Sequence, residues 1–394
     1  MSRDAANTVD QASEPSELDH RALQPVARRA LRRRTAVLTG WRWQPLSYTV
    51  ILSGRTVLRV DGTAEVGGRV VPWSAVLKIV EPPAPAERLA QDPFGWQREV
   101  LAYRSGLLRR LPGDLAAPRL LGAWRQSNGA WWLWLEDVAD VHAGQWPLER
   151  YGLAAQHLGQ FNGAFLVSQG VPVLPWLKQH WAEWYAELAR IPAAAREVAR
   201  RVPQPAVRRL FGPDVAESAA RLLADQSLVL TALSELPQTL CHHDAARANL
   251  IARRDRAGRP QTVAVDWEDV GPGPLYADLA TLVFGTMRRN EWPAHEAVAL
   301  EEQAFDGYLR GLRDAGWDGD ATVVWMGYTA AVALRWSLLL NALRLATDEG
   351  ARATSARIWR QPAATLLDQW VPLSAFLLDR SGEARRCLQQ RTHG

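Results

Sequence analysis

Four residues in two short stretches of the chain have the types and the spacing for phosphoryl transfer. His242, Asp244 and Asn249 fall in the run His242-His243-Asp244-Ala245-Ala246-Arg247-Ala248-Asn249, and Asp266 follows seventeen residues later, after the apolar Val263-Ala264-Val265. The carboxylate of an H-x-D triplet can orient an attacking hydroxyl. An Asn five residues on offers a hard oxygen to a metal ion. A second carboxylate, at the end of the next strand, can hold that metal against nucleotide phosphates. H-x-D alone arises often by chance; the full H-x-D-x-x-x-x-N pattern with a strand-borne Asp at this distance is specific.

Two further residues fit the same chemistry. Of 46 basic residues only Lys78 and Lys178 are lysines. Lys78 sits in Trp73-Ser74-Ala75-Val76-Leu77-Lys78-Ile79-Val80, a strand-like apolar run. An ammonium inside such a run needs a partner or a ligand. It is a compact point charge suited to phosphates, and arginine does not replace it there. The bland alternative is a strand lysine turned to solvent. Glu99 lies 21 residues after Lys78 in a segment of helical character. In phosphoryl-transfer sites of this kind a helix Glu pairs with the strand Lys. The alternative for Glu99 is an ordinary helix-surface carboxylate.

These groups need elements to hold them. Val50 to Leu52, Thr56 to Val60, Gly68 to Val71 and Ala75 to Val80 read as strands separated by glycine-bearing turns, with Tyr48 opening the first. Pro118 to Trp124 and Ala130 to Leu135 add two more, giving an antiparallel sheet with the Glu99 helix. Before it, residues 1 to about 17 read as a disordered polar tail and Asp19 to Leu38 as a helix. After Tyr151 the pattern is helical: Ala154–Val167, Trp176–Arg190, Asp214–Leu236, Ala294–Arg313, Ala321–Leu345 and Pro362–Leu378. Leu250 to Asp266 reads as a hairpin turned between Asp255 and Gln261. The expected division is an N-terminal tail and helix over 1–37, a nucleotide-binding sheet-plus-helix region over 38–137, and a helical region over 138–394.

Composition narrows the partners. At 394 residues, 47% hydrophobic and 22% charged, with net charge +4, the chain is ordinary for a globular protein. The arginine clusters at Arg28-Arg29 and Arg32 to Arg34 lack interleaved aromatics, so no nucleic-acid partner is expected. No uninterrupted apolar run of 18 residues occurs, and no membrane partner is expected. Cys241 and Cys387 make neither a disulfide framework nor a structural zinc site. The acidic start has no apolar signal core. A cytoplasmic location is the expectation, and oligomeric state is not legible.

Taken in order, strand Lys78, helix Glu99, Glu136-Asp137-Val138, the His242–Asn249 motif, Asp266 and the Gly271-Pro272-Gly273-Pro274-Leu275-Tyr276-Ala277-Asp278 segment resemble the aminoglycoside and choline kinase-like phosphotransferases over roughly residues 40 to 285. The resemblance implies an α+β, bilobal protein-kinase-like fold: a small antiparallel-sheet N-lobe and a larger, mostly helical C-lobe. It implies ATP or GTP as donor and Mg2+ as cofactor. Asp244 is then the catalytic Asp and His242 braces its loop. Asn249 and Asp266 hold the metal, Lys78 contacts the phosphates and Glu99 holds Lys78. Asp278 supports the loop, and backbone groups of Glu136 to Val138 receive the adenine edge. Two positions depart from the family. His243 stands where many relatives carry Gly, and its side chain is expected to point away from the site. The phosphate-covering turn, Ser53-Gly54-Arg55-Thr56, has one glycine rather than G-x-G-x-x-G. Glu268, two residues past Asp266, is a candidate for the metal or the substrate.

The resemblance implies a small-molecule acceptor with a hydroxyl. From Gly285 onward the chain holds 13 Arg against 13 Asp plus Glu. That balance offers nothing to a polycation and favours a neutral or weakly charged metabolite or antibiotic. Tryptophan, 19 in all, includes Trp176, Trp181 and Trp184 beside Tyr185, and Trp325, Trp336, Trp359 and Trp370. Some could line a pocket or cage a quaternary amine, so a cationic choline- or aminoglycoside-type substrate is the alternative. A nucleotide-binding pseudokinase is another. A protein kinase lacks support, since no A-P-E-like segment follows Asp266.

Overall fold

The glycine pair Gly67-Gly68 closes the longest hairpin of the protein. Both residues have positive φ (58° and 77°), the twist a two-residue loop needs between right-handed strands. The computed structural model describes residues 18–46, 56–83, 92–142 and 144–393. In chain order these form α1 (His20–Leu31), β1 (Val37–Pro45), β2 (Thr56–Val66), β3 (Arg69–Val80), α2 (Arg98–Ser105), β4 (Leu115–Ala116), β5 (Leu120–Arg125) and β6 (Trp131–Glu136). There follow α3 (Leu148–Ala164), α4 (Trp181–Ala186), α5 (Ile191–Arg201), α6 (Pro205–Phe211), α7 (Val215–Ala224) and α8 (Gln226–Glu235). Then come β7 (Gln238–Cys241), β8 (Leu250–Arg254), β9 (Pro260–Ala264), β10 (Gly271–Pro274) and α9 (Ala277–Ala280). The chain ends on α10 (Ala297–Asp314), α11 (Ala321–Ala333), α12 (Ser337–Thr347), α13 (Glu349–Trp359) and α14 (Ala363–His393).

The described residues divide into two compact units. One holds 18–46, 56–83 and 118–137; the other holds 92–117 and everything from Val138 on. The first is a five-stranded antiparallel sheet in the order β1-β2-β3-β6-β5. Strand alternation sends Leu58, Val60, Trp73, Ala75, Leu77 and Trp134 to one face, where they pack under Leu23, Val26 and Ala27 of α1. These α1 residues recur at three and four, and Asp19 caps the helix by accepting the Ala22 N–H at 2.8 Å. The helix stops at Arg32, whose φ is 54°. It therefore does not run to Leu38: residues 37–45 are the edge strand β1, whose alternation is disguised by a bulge between Leu38 and Gly40.

The second unit carries α2 to α14 and two small sheets, β10-β7 and β4-β9-β8. The run from Asp214 to Leu236 is two helices, α7 and α8, broken at Asp225. The run from Ala321 to Leu345 is also two, because the chain turns at Leu334 to Trp336. Segment 321–347 is apolar enough on average to cross a bilayer, yet 83% of its apolar window is buried inside the protein. It is the core of this unit.

Helices α3 and α10 approach closely because glycines line their contact. A Cβ added to Gly307 would lie 2.0 Å from the Gly152 carbonyl oxygen, and one on Gly311 2.0 Å from that of Gln156. This approach matters for what the helices carry. The Tyr308 hydroxyl of α10 reaches the side chain of Asn162 on α3 (2.8 Å) and the Leu275 carbonyl. Asn162 in turn donates to the Leu240 carbonyl (2.9 Å) and to Asp278 (3.0 Å). On the same helix, His157 Nδ1 lies 2.8 Å from Thr262 Oγ1 of β9, and Arg150 donates to that hydroxyl at 2.7 Å. Helix α3 thus fixes both the strand before the His242 motif and the strand before Asp266.

Two predictions follow from this anchoring. Gly311→Ala should push α3 and α10 apart and lower stability by about 1–3 kcal/mol. The fall should appear as a lower denaturant midpoint with an unchanged m-value. His157 is buried, and that burial, with Arg150 beside it, lowers its pKa from 6.5 to about 3. Between those values the unfolded chain takes up a proton that the folded protein refuses. Stability from this group is therefore complete above pH 6.5 and lost as pH falls toward 3, by an amount on the order of a few kcal/mol. His157→Gln should flatten the melting temperature across that window; an unchanged acid slope would show that other groups set it.

Candidate active site

The His242–Asn249 segment leaves β7 as a loop that the backbone alone does not stabilise, and Asp278 supplies what is missing. Its carboxylate, fully buried, accepts the amide N–H of His242 (2.9 Å) and of His243 (2.7 Å), besides the Asn162 side chain. His242 closes the loop from the other side. Its Nε2 lies 3.0 Å from the Val265 carbonyl, its Nδ1 accepts the Asp244 N–H at 3.2 Å, and its ring meets Trp267 edge-on at 4.5 Å. The residue therefore ties the Asp244 loop to the chain entering Asp266.

Asn249 and Asp266 stand at the same end of the β8–β9 hairpin. Leu250 pairs with Ala264, and the Val265 N–H donates to the Asn249 carbonyl at 2.9 Å. The Asn249 amide nitrogen donates to the Asp244 carbonyl oxygen (2.9 Å) and to Asp244 Oδ2 (2.6 Å). Its nitrogen end is thereby used, and its other end presents the carbonyl oxygen, which can accept a hydrogen bond or ligate a cation. Arg289 Nη2 lies 3.3 Å from both Asp244 oxygens. Burial raises the Asp244 pKa to about 6, with Arg289 opposing and Asp266 adding to the rise. Asp244 is thus a carboxylate whose proton affinity has moved toward neutrality, as a group that handles a hydroxyl proton requires.

The other sequence-derived residues are placed as follows. Lys78, only 7% exposed, alternates with Leu77 and Ile79 and so lies on the sheet face opposite α1. Glu99 is buried on α2, in the helical unit rather than with the sheet. Glu136 ends β6 and its carboxylate holds Arg119 (3.1 Å); Val138 begins the helical unit, so the boundary between units falls at this segment. Ser53, Gly54 and Arg55, and the strand expected from Tyr48 to Leu52, lie outside the described residues. Glu268 offers its backbone carbonyl to Arg98 at 2.9 Å. The second lysine, Lys178, is paired with Asp269 at 2.7 Å and covers the Trp184 ring.

His243 does point away from Asp244. Its ring stacks on Trp181 (centroids 4.9 Å, planes 16° apart), with Nε2 3.2 Å from the Pro272 carbonyl. A Cβ on Gly273 would collide with that ring, at 2.2 Å. The backbone at His243 has φ 67°, the left-handed region in which glycine is at ease.

Beside Asp244 lies a cavity of ≈ 60 Å³ lined by Tyr185, Thr281, Phe284, Arg288, Arg289, Arg335 and Trp359. Trp359 is half of an edge-to-face pair with Trp370 (5.2 Å), whereas Trp181 and Trp336 are buried structural residues. Sequence reading did not single out the three arginines. In a chain where arginine has replaced nearly every lysine they carry no compositional signal. Arg335 shows only as a charge interrupting an apolar run.

Residues 51–319 match the model of the phosphotransferase enzyme family. No curated protein matches the chain significantly in sequence. Among solved structures, an aminoglycoside phosphotransferase from Alicyclobacillus acidocaldarius is 15% identical, with TM-score 0.49 over 89% of this chain and 92% of its own. A choline/ethanolamine kinase family protein from Mesorhizobium loti is 16% identical, with TM-score 0.46 over 91% and 94%. The amicoumacin kinase hAmiN, solved with AMP-PNP, Ca2+ and Ami, is 14% identical, with TM-score 0.48 over 83% and 90%. With the family model covering more than half of its length, the chain belongs to the phosphotransferase enzyme family.

Proposed function

We propose that the protein transfers the terminal phosphoryl group of ATP or GTP, with Mg2+, to a hydroxyl of a neutral or weakly charged metabolite or antibiotic. The observation that carries this reading is the bond from the Asn249 amide to Asp244 (2.6 Å). It orients the proton-accepting carboxylate and commits Asn249 to offering oxygen on its other side. Asn249 and Asp266 would hold Mg2+, because both supply the hard oxygens that such an ion prefers. Bound there, the ion would neutralise charge on the nucleotide phosphates. Lys78 would contact those phosphates and Glu99 would hold Lys78. Ser53 to Arg55 would cover them, and the backbone from Glu136 to Val138 would receive the base. His242 keeps Asp244 in place. The proposed setting is the cytoplasm, where unpaired thiols such as Cys241 and Cys387 persist.

In the proposed step the acceptor oxygen bonds to phosphorus as the nucleotide's terminal bridging P–O bond breaks. The nucleoside diphosphate leaves with that electron pair, and the hydroxyl proton passes to Asp244 and on to solvent. The charge balance of the last 110 residues, 13 Arg against 13 acids, supports an acceptor that is not a polycation.

Asp244→Asn should retain nucleotide binding while turnover falls by about 10²–10⁴-fold. The assay is a screen of hydroxylated metabolites and antibiotics, read as nucleotide consumption and as a product heavier by one phosphoryl group. Wild-type turnover in that variant would remove Asp244 from the chemistry. Asp266→Ala should abolish the Mg2+-dependent part of the nucleotide's thermal stabilisation; an unchanged shift would place the metal elsewhere.

A further inference from the structure

Arginines largely withdrawn from water in the helical unit mostly face a carboxylate, and the cavity beside Asp244 departs from that pattern. Arg98 has Asp92 (2.6 Å), Arg201 has Glu197 (2.8 Å) and Arg380 has Glu301 (2.6 Å). Arg150, near Asp140, donates instead to the Thr262 hydroxyl (2.7 Å) and the Gln261 carbonyl (3.3 Å). Removing a guanidinium from water without a counter-charge is costly, which explains these partners. Arg288 and Arg335 have no carboxylate within 4 Å among the described residues. The carboxylate whose charge reaches both is Asp244, and Arg289 already holds it at 3.3 Å.

What these two guanidiniums do have is aromatic. Arg288 lies over Trp359 (5.2 Å), and Arg335 over Tyr185 (4.9 Å) and Phe284 (5.7 Å). Such contacts support the cation through the ring face and take up none of its N–H donors. Arg335 spends donors on the Ala331 carbonyl and on Thr281 Oγ1 (2.9 Å). Arg288 Nε is buried with no hydrogen-bond partner, and no side-chain donor of Arg288 has a partner among the described residues. An unmet buried donor on a charged group is among the more costly defects a folded protein carries, so a ligand that meets it gains accordingly. The cavity wall thus presents three guanidiniums against one carboxylate, in a space of ≈ 60 Å³. That space suits a compact head group, and a planar or tetrahedral oxyanion matches the guanidinium fork.

We propose that the acceptor carries a compact anionic group, a carboxylate or a phosphate ester, seated on Arg288 and Arg335 while its hydroxyl lies at Asp244. The hydroxyl half of this assignment rests on the phosphotransferase reading; the anion half rests on the arginines alone. It gives the weak charge of the acceptor a sign, and it sets the acceptor apart from amines.

A matched three-carbon series tests it: glycerate, glycerol 3-phosphate, glycerol and 3-amino-1,2-propanediol. Thermal shifts without nucleotide, at constant ionic strength, should show saturable stabilisation of the full chain by glycerate or glycerol 3-phosphate. Glycerol and the amine should give none. The member giving the larger shift identifies carboxylate or phosphate as the group recognised. Arg288→Met should lose most of that shift and Arg288→Lys should keep part of it. If Arg288→Met does not melt cooperatively, Arg288→Gln takes its place. Binding of phosphate at the nucleotide site would persist in every Arg288 variant, so only the difference from wild type counts. Transfer assays on the same series should favour an anionic member by about tenfold or more in kcat/KM, the size of a charge-assisted hydrogen bond. Equal shifts in wild type and Arg288→Met, no anion shift in wild type, or transfer best to the amine would overturn the proposal. In the last case the kinase reading survives without it. An anion shift lost in Arg288→Met with no transfer to any acceptor would keep the anion site and sink the kinase reading instead.

Discussion

The buried carboxylate of Asp278 is the constraint on which the site depends. A fully buried carboxylate is tolerable only when hydrogen bonds replace its water. Here three N–H groups do so: two backbone amides of the His242–Asp244 loop and the Asn162 side chain. The dependence runs both ways. The loop has no regular partner for those amides, so it keeps its shape only while Asp278 is there. Asp278 in turn is held by α9, and Asn162 by the glycine-lined contact of α3 with α10. A packing decision between two helices is thereby transmitted to the position of Asp244 through bonds no longer than about 3 Å.

Charge in the helical unit is arranged by the same logic at a larger scale. Interior arginines are matched with carboxylates where they serve packing, as in the Glu197 cluster with Arg201 and Arg344, which holds that carboxyl down at about 2. Near Asp244 the order changes. Burial raises Asp244 to about 6 and Glu291 to about 7, so negative charge is disfavoured there while positive charge is retained on aromatic faces. The cavity wall is therefore rich in guanidiniums because one carboxylate, Asp244, shares it with three arginines, and not because basic residues are concentrated in the sequence. A count of charges along the chain is blind to this, since 13 Arg and 13 acids can be distributed in either way.

How much of this was legible in the sequence depends on distance along the chain. The groups that touch Asp244 locally, His242 and Asn249, sit within a few residues of it, and Asp266 follows at the end of the next hairpin. Apolar alternation exposed β2 and β6, whereas β3 is one continuous strand where the sequence reads as two, Gly68–Val71 and Ala75–Val80, because Pro72 and Ser74 interrupt its apolar pattern. Edge strand β1 was hidden by its bulge at Leu38 to Gly40, which resets the alternation and makes Ala36 to Leu38 look like more of α1. The break between α11 and α12 at Leu334 to Trp336 was hidden because no glycine or proline marks it, and the bond from Arg335 to distant Thr281 leaves no local trace. Arg288 and Arg289 met the same obstacle. Their role follows from which cavity they line, and only folding brings Asp244, Arg335 and Trp359 to one wall.

Backbone strain marks two positions of the candidate site. His243 and Asp266 have φ of 67° and 64°, the left-handed region that costs a residue with a Cβ roughly 1–2 kcal/mol. One immediately precedes Asp244 and the other is the strand-end carboxylate itself. At His243 the cost is opposed by the Asp278 bond to its amide, the stack on Trp181 and the contact with Pro272. A glycine there would have less strain but would lose the stack on Trp181, whose ring lies 4.8 Å from that of Tyr185. Tyr185 lies under Arg335. The imidazole at His243 therefore does more than fill space. It links the Asp244 loop, through Trp181 and Tyr185, to the arginine that gives the neighbouring cavity its charge.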